Sequence, residues 1–285
     1  MHTSVQELNI QRYTQGQLTP VSDLIAVEEP LQILLQYGSK SARKERPLTI
    51  TMRTPGQDFE LAMGLLLSEG LIESPDEVMS MRYCEQVKDP AEQDNVLRVS
   101  MQPDWEGEIE RMERNFYSSG SCGVCGKTAI ETVFQSCERL AFGKAAIDPT
   151  ILAKLADALG ERQSLFRHTG GIHAAALFSM AGDLMLVRED IGRHNALDKL
   201  IGALSQAKEI NKKDTILFLS GRVGFELVQK AIQASLPVIV ALGAPTSLAV
   251  QLAERHQQTL IGFLKPERFN VYSGAERLIE NDVRV

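Results

Sequence analysis

The sequence predicts an α/β protein, with a mixed sheet covered by helices in its C-terminal part and a smaller α+β domain before it. Two observations lead to this prediction. After residue 147, short and fully apolar runs alternate with helical segments, which is typical of parallel strands covered by helices. The polar stretch 102–115 contains Pro103 and Gly107, which interrupt regular structure. We therefore expect an N-terminal domain of residues 1–115 and a C-terminal domain of residues 116–285.

Composition places the chain among soluble globular proteins. Its 285 residues suffice for one large or two ordinary domains, and 44% of them are hydrophobic and 24% charged. A formal net charge of −7 does not favour nucleic-acid binding. No apolar run approaches the roughly 20 residues of a membrane helix, and the N-terminus lacks the pattern of a secretory signal. We expect a cytoplasmic protein whose cysteines are metal-binding, catalytic or buried rather than disulfide-bonded.

In the N-terminal domain, short apolar runs bounded by turn residues predict strands. These strands cover residues 23–27, 31–35, 48–52 and 95–101. Between the third and the fourth, Asp58 is expected to cap a helix over residues 59–69, which Gly70 ends.

In the C-terminal domain, we predict a helix over residues 127–137 and another that begins at Asp148 and Pro149, a favoured pair for a helix start. The apolar runs 172–179 and 184–189 are expected to form a hairpin. The chain then alternates between helices and strands. The predicted helices are 195–207, 225–235 and 247–257, and the predicted strands are 215–220, 238–242, 259–264 and 268–272.

At the start of the predicted C-terminal domain, Cys122 and Cys125 lie in a loop rich in glycine and serine. A structural zinc site needs four ligands, whereas Cys84 and Cys137 are isolated, although His168 and His173 leave a mixed site conceivable. A thioredoxin-like redox pair would follow a buried strand, and residues 114–117 make a poor one. We favour a nucleophilic cysteine on this loop, beside the dipole of the next helix and two nearby cations, Lys127 and Arg114. The residues alone do not say which thiol reacts.

Three predicted strands end in loops with small, hydroxyl or basic residues, and such strand ends bind anions in α/β folds. Arg193 and His194 follow the first, Arg222 follows the second, and Thr246 and Ser247 follow the third. Together they predict a shared pocket for a large anionic ligand such as a nucleotide diphosphate. The alternative is a capped helix with solvated ion pairs.

His173 follows a Gly-Gly pair that would allow a ligand to approach the backbone closely. The alternative is a tight turn with a histidine that faces the core.

These segments, in this order, resemble the FdhD family of formate dehydrogenase accessory sulfurtransferases. The similar segments are Met52-Arg53-Thr54-Pro55-Gly56 with Glu60-Leu61-Ala62, Cys122-Gly123-Val124-Cys125-Gly126, Thr169-Gly170-Gly171-Ile172-His173-Ala174-Ala175, residues 188–199, Ser220-Gly221-Arg222, Ala244-Pro245-Thr246-Ser247-Leu248-Ala249 and Phe269-Asn270-Val271-Tyr272. The resemblance spans roughly residues 23 to 280.

The resemblance implies a sulfurtransferase that takes persulfide sulfur from a cysteine desulfurase. It would pass that sulfur to the molybdenum cofactor, bis(molybdopterin guanine dinucleotide), which is a bound substrate required by formate dehydrogenase. The implied persulfide residue is Cys122, and we expect no metal bound directly by the protein. Cys125 is our own assignment as an auxiliary thiol, since neither the spacing nor the resemblance defines its role. A non-catalytic cofactor chaperone is the alternative. The implied cofactor-binding segment consists of Phe263, Leu264, Lys265, Pro266, Glu267 and Arg268.

The resemblance also implies a homodimer and a cytidine-deaminase-like fold for the C-terminal domain. Zinc deaminases carry His-x-Glu at one helix start and Pro-Cys-x-x-Cys at the next. Here the corresponding places hold Arg193-His194-Asn195 and Ser220-Gly221-Arg222. We therefore expect an anion pocket in place of a zinc centre, and no deamination.

Overall fold

The N-terminal part of the chain folds into a hairpin and a four-stranded sheet. The computed structural model describes residues 3–85, 94–103, 105, 107 and 146–279. The hairpin consists of β1 (Val5–Thr14) and β2 (Gln17–Ala26). The sheet has the order β4-β3-β6-β5, and one face packs against helix α1 (Asp58–Ser68). Its strands are β3 (Glu29–Tyr37), β4 (Lys44–Arg53), β5 (Val78–Tyr83) and β6 (Val96–Met101).

The β1–β2 hairpin begins well before the first predicted strand. Residues 23–27, predicted as a separate strand, overlap the end of β2. Gln15 and Gly16 form the turn, with φ of 49° and 88°, and two positive φ values are characteristic of tight hairpin turns. The sequence did not reveal β1 because most of its side chains are exposed, so it lacks the alternation of a half-buried strand.

Helix α1 differs from its prediction at the first residue. The N-cap position belongs to Gln57, whose backbone is left-handed and whose side chain makes no capping bond. The prediction that Asp58 caps this helix is therefore wrong. The Asp58 carboxylate instead accepts hydrogen bonds from Arg53 Nε (3.1 Å) and the Tyr83 hydroxyl (3.0 Å), which tie the helix to the sheet. Gly70, with a left-handed backbone, ends the helix region as predicted.

The C-terminal part is a six-stranded mixed sheet with the order β12-β11-β10-β9-β7-β8. Strands β9, β10 and β11 run parallel, and the other pairs are antiparallel. Separate apolar clusters cover its two faces, so the mixed, helix-covered sheet is confirmed. The strands are β7 (His173–Ser179), β8 (Leu184–Asp190), β9 (Thr215–Leu219), β10 (Val238–Ala241), β11 (Thr259–Lys265) and β12 (Arg268–Ser273).

Helices α2, α4, α5 and α6 occur where the sequence predicted them. The short helix α3 was not predicted. The helices are α2 (Pro149–Arg162), α3 (Ser164–Thr169), α4 (Arg193–Gln206), α5 (Phe225–Gln233) and α6 (Ser247–Arg255). The predicted helix 127–137 and most of the proposed boundary 102–115 lie outside the described residues, so the division into two domains stays a prediction.

Helices α1 and α4 cross backbone to backbone and so join the two parts of the chain. A Cβ atom on Gly64 would overlap the carbonyl group of Asp198, and one on Gly202 would overlap the carbonyl group of Glu60. Glycine is required on both helices because no side chain fits between them. Beside the crossing, Arg188 forms an ion pair with Glu60.

A buried charge cluster reinforces the same junction. Lys230 Nζ lies 3.0 Å from Asp198 Oδ1 and 2.7 Å from Glu69 Oε1. Ser68 Oγ donates to Asp198 Oδ1 at 2.7 Å. Burial raises the pKa of Asp198, so the charged form depends on these partners. Within the described part of the chain, no helix has both the length and the apolar character needed to cross a membrane.

Candidate functional site

The carboxyl ends of β9 and β10 lead into two loops that lie side by side. The backbone N–H of Val223 donates to Ala244 O (3.0 Å), that of Thr246 to Val223 O (2.9 Å) and that of Gly243 to Gly221 O (3.3 Å). A Cβ atom on Gly243 would lie 2.6 Å from Gly221 O, so this approach needs glycine. The two loops form a continuous floor at this edge of the sheet.

The start of α4 lies beside that floor. Helix α4 begins at Arg193, shortly after β8 ends at Asp190, and Asp190 is the register partner of His173 on β7. A Cβ atom on Gly221 would lie 3.2 Å from His173 Nδ1 and 4.0 Å from Arg193 Cδ. The structure therefore brings His173 and Arg193, both predicted site residues, to the same loop.

The two side chains that open α4 differ in their partners. His194 Nε2 lies 2.9 Å from Glu226 Oε2 at the start of α5, and the hydrogen bond to His194 lowers the pKa of Glu226. Arg193 Nε is buried, and no acceptor for it exists among the described residues. A buried donor without an acceptor is unfavourable by about 1–3 kcal/mol. An anionic oxygen bound at the start of α4 would satisfy it, in a position that the helix dipole also favours.

His173 is held in its neutral form by its surroundings. Burial lowers the pKa of His173, and the positive charges of Arg193 and His194 lower it further. A neutral imidazole can both donate and accept a proton. His173 thus differs from Arg193, whose guanidinium stays charged and can only donate hydrogen bonds.

The remaining predicted residues of the strand-end loops point to solvent. Arg222, Thr246 and Ser247 are exposed. Thr246 Oγ1 also accepts a hydrogen bond from Ala249 N at 3.4 Å, so this hydroxyl caps α6. Arg222 is the group among them best suited to bind an anion, because its guanidinium carries a permanent charge.

The segment 263–268 is the end of β11, a two-residue turn and the start of β12. Phe263 has a left-handed backbone (φ 53°) and is 44% exposed, and its N–H donates to Gly243 O at 3.2 Å, which joins it to the floor. Phe263, Lys265 and Arg268 line an open pocket. Pro266 and Glu267 form the exposed turn, and the segment also contains Leu264, whose side chain is buried in the core.

The cysteine loop is not part of this geometry. Cys122 and Cys125 lie outside the described residues, so neither their position nor their distance from the floor enters the description. Among the residues described, no three histidine, cysteine, aspartate or glutamate side chains cluster as a metal site would require.

Sequence reasoning missed the buried polar groups that hold the site in place. Asp190 and Lys199 are fully buried, and the Lys199 Nζ to Asp190 Oδ2 distance is 2.7 Å. Lys199 Nζ also donates to Thr54 O at 2.8 Å, and Asn195 Nδ2 donates to Met52 O at 2.7 Å. Each of these residues belongs to a segment that resembles the FdhD family, but no pattern in the sequence predicts that they contact one another.

Comparison with known proteins gives one consistent result. Residues 26–279 match the sequence profile of the FdhD/NarQ family. A sulfur carrier protein FdhD of Mycolicibacterium paratuberculosis is 43% identical over 270 residues, covering 93% of this chain and 95% of the relative. A protein of the same name from Picrophilus torridus is 39% identical over 259 residues, covering 91% of this chain and 93% of the relative.

A solved structure has a similar fold. It is that of a protein from Desulfotalea psychrophila proposed to be a formate dehydrogenase accessory protein. The TM-score is 0.72 at 21% identity, with 97% of this chain and all of the other covered. At this identity the likeness bears on the fold alone.

Proposed function

The chain belongs to the FdhD/NarQ family, and we propose that it is a sulfurtransferase that serves formate dehydrogenase. In this proposal it accepts persulfide sulfur from a cysteine desulfurase and passes it to the molybdenum cofactor bis(molybdopterin guanine dinucleotide). One observation carries the proposal for the cofactor: Arg193, His194 and His173 converge with the β9 and β10 loops at one edge of the sheet.

The chemistry of this edge suits a guanine dinucleotide. Its pyrophosphate is an anion, and the start of α4 with Arg193 offers backbone N–H groups, a favourable dipole and a buried donor without an acceptor. Arg222 would add a second guanidinium from the β9 loop. The exposed ring of Phe263 would give the guanine base a surface for stacking, next to the cations of Lys265 and Arg268.

The sulfur chemistry falls to the two cysteines. In a persulfide on Cys122, the outer sulfur must gain two electrons to leave as hydrosulfide. The Cys125 thiolate would supply them: its sulfur attacks Sγ of Cys122, the persulfide S–S bond breaks, and a Cys122–Cys125 disulfide forms. The hydrosulfide would then replace an oxygen ligand of the cofactor, and the released oxide would take up the hydrosulfide proton and one proton from solvent to leave as water. A cellular dithiol would reduce the disulfide before the next cycle.

Two further expectations belong to the same proposal. The first is a cytidine-deaminase-like C-terminal fold, which the β7–β8 hairpin followed by alternating helices and parallel strands supports. The second is a homodimer, which follows from the family alone. The proposed reaction also calls for a reducing compartment such as the cytoplasm, where thiols persist.

Mass spectrometry tests the proposal. The chain is incubated with a cysteine desulfurase and cysteine, and we expect the intact mass to rise by one sulfur atom. Cys122→Ala should abolish the gain, whereas Cys84→Ala should not, because Cys84 is a buried cysteine of the N-terminal part. If Cys122→Ala still gains sulfur and still activates formate dehydrogenase, the assignment is wrong.

A cysteine variant and an arginine variant together distinguish sulfur transfer from a chaperone role. Under our proposal, Cys122→Ala and a combined Arg193→Ala, Arg222→Ala variant both lose activation of formate dehydrogenase, and only the second loses binding of guanosine diphosphate. A chaperone that only binds the cofactor would keep full activity in Cys122→Ala.

A further inference from the structure

We propose that Asp190 is the positioning residue of the cofactor site, the group that fixes Arg193 and His194 for binding the dinucleotide. This inference rests on the proposed function, because it takes the start of α4 as the place where the pyrophosphate binds. Asp190 itself is fully buried at the end of β8, so it would not contact the ligand directly. Its effect on the ligand would be exerted through the residues it holds.

The first oxygen of Asp190 holds both residues that flank the Arg193-His194 pair. Oδ1 accepts a hydrogen bond from Gly192 N at 2.9 Å and from Asn195 Nδ2 at 3.1 Å. The two site residues therefore lie between two anchors on a single oxygen atom. This matters because the helix start has no other side-chain cap: Gly192 is the N-cap residue and cannot supply one.

The second oxygen ties the same turn to the N-terminal part. Oδ2 accepts from Thr54 N at 3.2 Å and lies 2.7 Å from Lys199 Nζ. Thr54 is held by two more bonds, since its Oγ1 accepts from Ile191 N at 3.2 Å and its carbonyl oxygen accepts from Lys199. The turn after β4 therefore supports the proposed cofactor site through Thr54.

A carboxylate is the side chain that this arrangement needs. Four donors converge on two oxygens, and a carboxylate has only acceptors to offer them. An asparagine would present one NH2 group to two of these donors, so one half of the arrangement must break. Lys199 supplies the compensating charge within the same buried cluster.

The chain contains a matched control. Asp198 lies on α4, the helix whose start Asp190 anchors, is also buried, and also pairs with a buried lysine, Lys230 Nζ, at 3.0 Å. Its other partner, Ser68, belongs to α1, so the hydrogen bonds of its carboxylate run to α1 and α5 and not to the start of α4. A general loss of stability caused by removing a buried negative charge should therefore appear in both Asp190→Asn and Asp198→Asn.

The experiment measures guanosine diphosphate affinity by calorimetry and thermal unfolding for the wild type and both variants. We expect Asp190→Asn to weaken binding at least about tenfold, because a misplacement of about 1 Å in a positioned group can have effects of up to about a hundredfold. Asp198→Asn should lower the unfolding temperature but leave the affinity within about twofold of the wild type. Equal weakening in both variants would reduce Asp190 to a stabilising role and overturn the inference.

Asn195→Ala covers the case in which Asp190→Asn does not fold. It keeps the Asp190–Lys199 pair but removes the hydrogen bonds of Asn195 to Asp190 Oδ1 and Met52 O, so we expect weaker binding together with a lower unfolding temperature. Unchanged affinity in Asn195→Ala would then overturn the inference. If the wild type itself does not bind guanosine diphosphate, the proposed function fails at this site. If the wild type and Asp190→Asn bind it equally well, the proposed function stands and only the inference about Asp190 fails.

Discussion

Gly64 of α1 and Gly202 of α4 face each other at a crossing where neither helix leaves room for a methyl group on the other. Helix pairs usually lie 8–10 Å apart, with side chains interlocked between them. Here backbone meets backbone instead, and the glycines fix the distance between the N-terminal sheet and the helix that opens the candidate site.

Gly64→Ala should therefore strongly destabilise the protein. The added Cβ atom would overlap the carbonyl group of Asp198, so the helices must separate, and we expect a loss of about 3 kcal/mol or more in the free energy of unfolding. Gly160→Ala is the control, because an added Cβ on Gly160 in α2 would meet no atom of the other described elements within 4 Å. That change should raise stability by about 0.5–1 kcal/mol. Urea unfolding measures both, and equal effects would contradict the tight crossing.

Lys230→Met should leave Asp198 buried without its main cation. Removing one member of a buried pair typically destabilises by about 3–5 kcal/mol. The double variant Lys230→Met, Asp198→Asn should lose less than the sum of the two single changes, since no unpaired charge remains. A double-mutant cycle in chemical denaturation tests this, and strict additivity would show that the pair is not coupled.

The pH dependence of stability should include a contribution from His173. Burial and the charges of Arg193 and His194 lower the pKa of His173 in the folded state, whereas in the unfolded chain it is about 6.5. The unfolded chain therefore takes up this proton at higher pH than the folded chain. The contribution is complete above about pH 6.5 and is lost as the pH falls below that value.

His173→Gln should accordingly flatten the decline of the unfolding temperature between about pH 7 and about pH 5. His168→Gln, which removes an exposed histidine on α3, gives the background for the loss of an imidazole. The same slope in the wild type and in His173→Gln would show that His173 does not titrate differently in the folded state.

Substitutions of Phe263 should reveal both the strain of its left-handed backbone and the contribution of its ring to binding. A left-handed backbone is unfavourable by roughly 1–2 kcal/mol for residues other than glycine. Phe263→Gly and Phe263→Ala lose the same ring, so the glycine variant should be more stable than the alanine variant by about 1 kcal/mol. Both should bind guanosine diphosphate more weakly than the wild type. Equal stability of the two variants in thermal unfolding would argue against the strain.

The sequence predicts most of the C-terminal fold because its strands are short, apolar and separated by clear helix signals such as Asp148-Pro149. It also points to Arg193, Arg222 and Thr246, since they stand directly after such strands. Hydrophobic periodicity is a local property of the sequence, so it predicts the strands and therefore also the residues that directly follow them.

The remainder of the site depends on contacts between distant residues. Lys199 donates a hydrogen bond to Thr54, which is 145 positions away in the chain, and the sequence around either residue does not predict this contact. Asp58 looked like a helix cap because aspartate is a favoured capping residue, yet the buried Arg53 recruits its carboxylate instead. Leu264 has an apolar side chain that is buried in the core. It was predicted to bind the cofactor only because of the family resemblance.

The paired glycines of α1 and α4 also bear on how such proteins can be recombined. Each glycine is needed only because the backbone of the opposite helix lies so close to it. Neither half of the chain could therefore be replaced freely by the same half of a relative in which these two helices lie farther apart. A chimera would have to import both helices together, along with the partners of Asp190 and Asp198 that come from the other half. The two halves are therefore expected to be inherited as one unit, and substitutions at Gly64 and Gly202 to occur together or not at all.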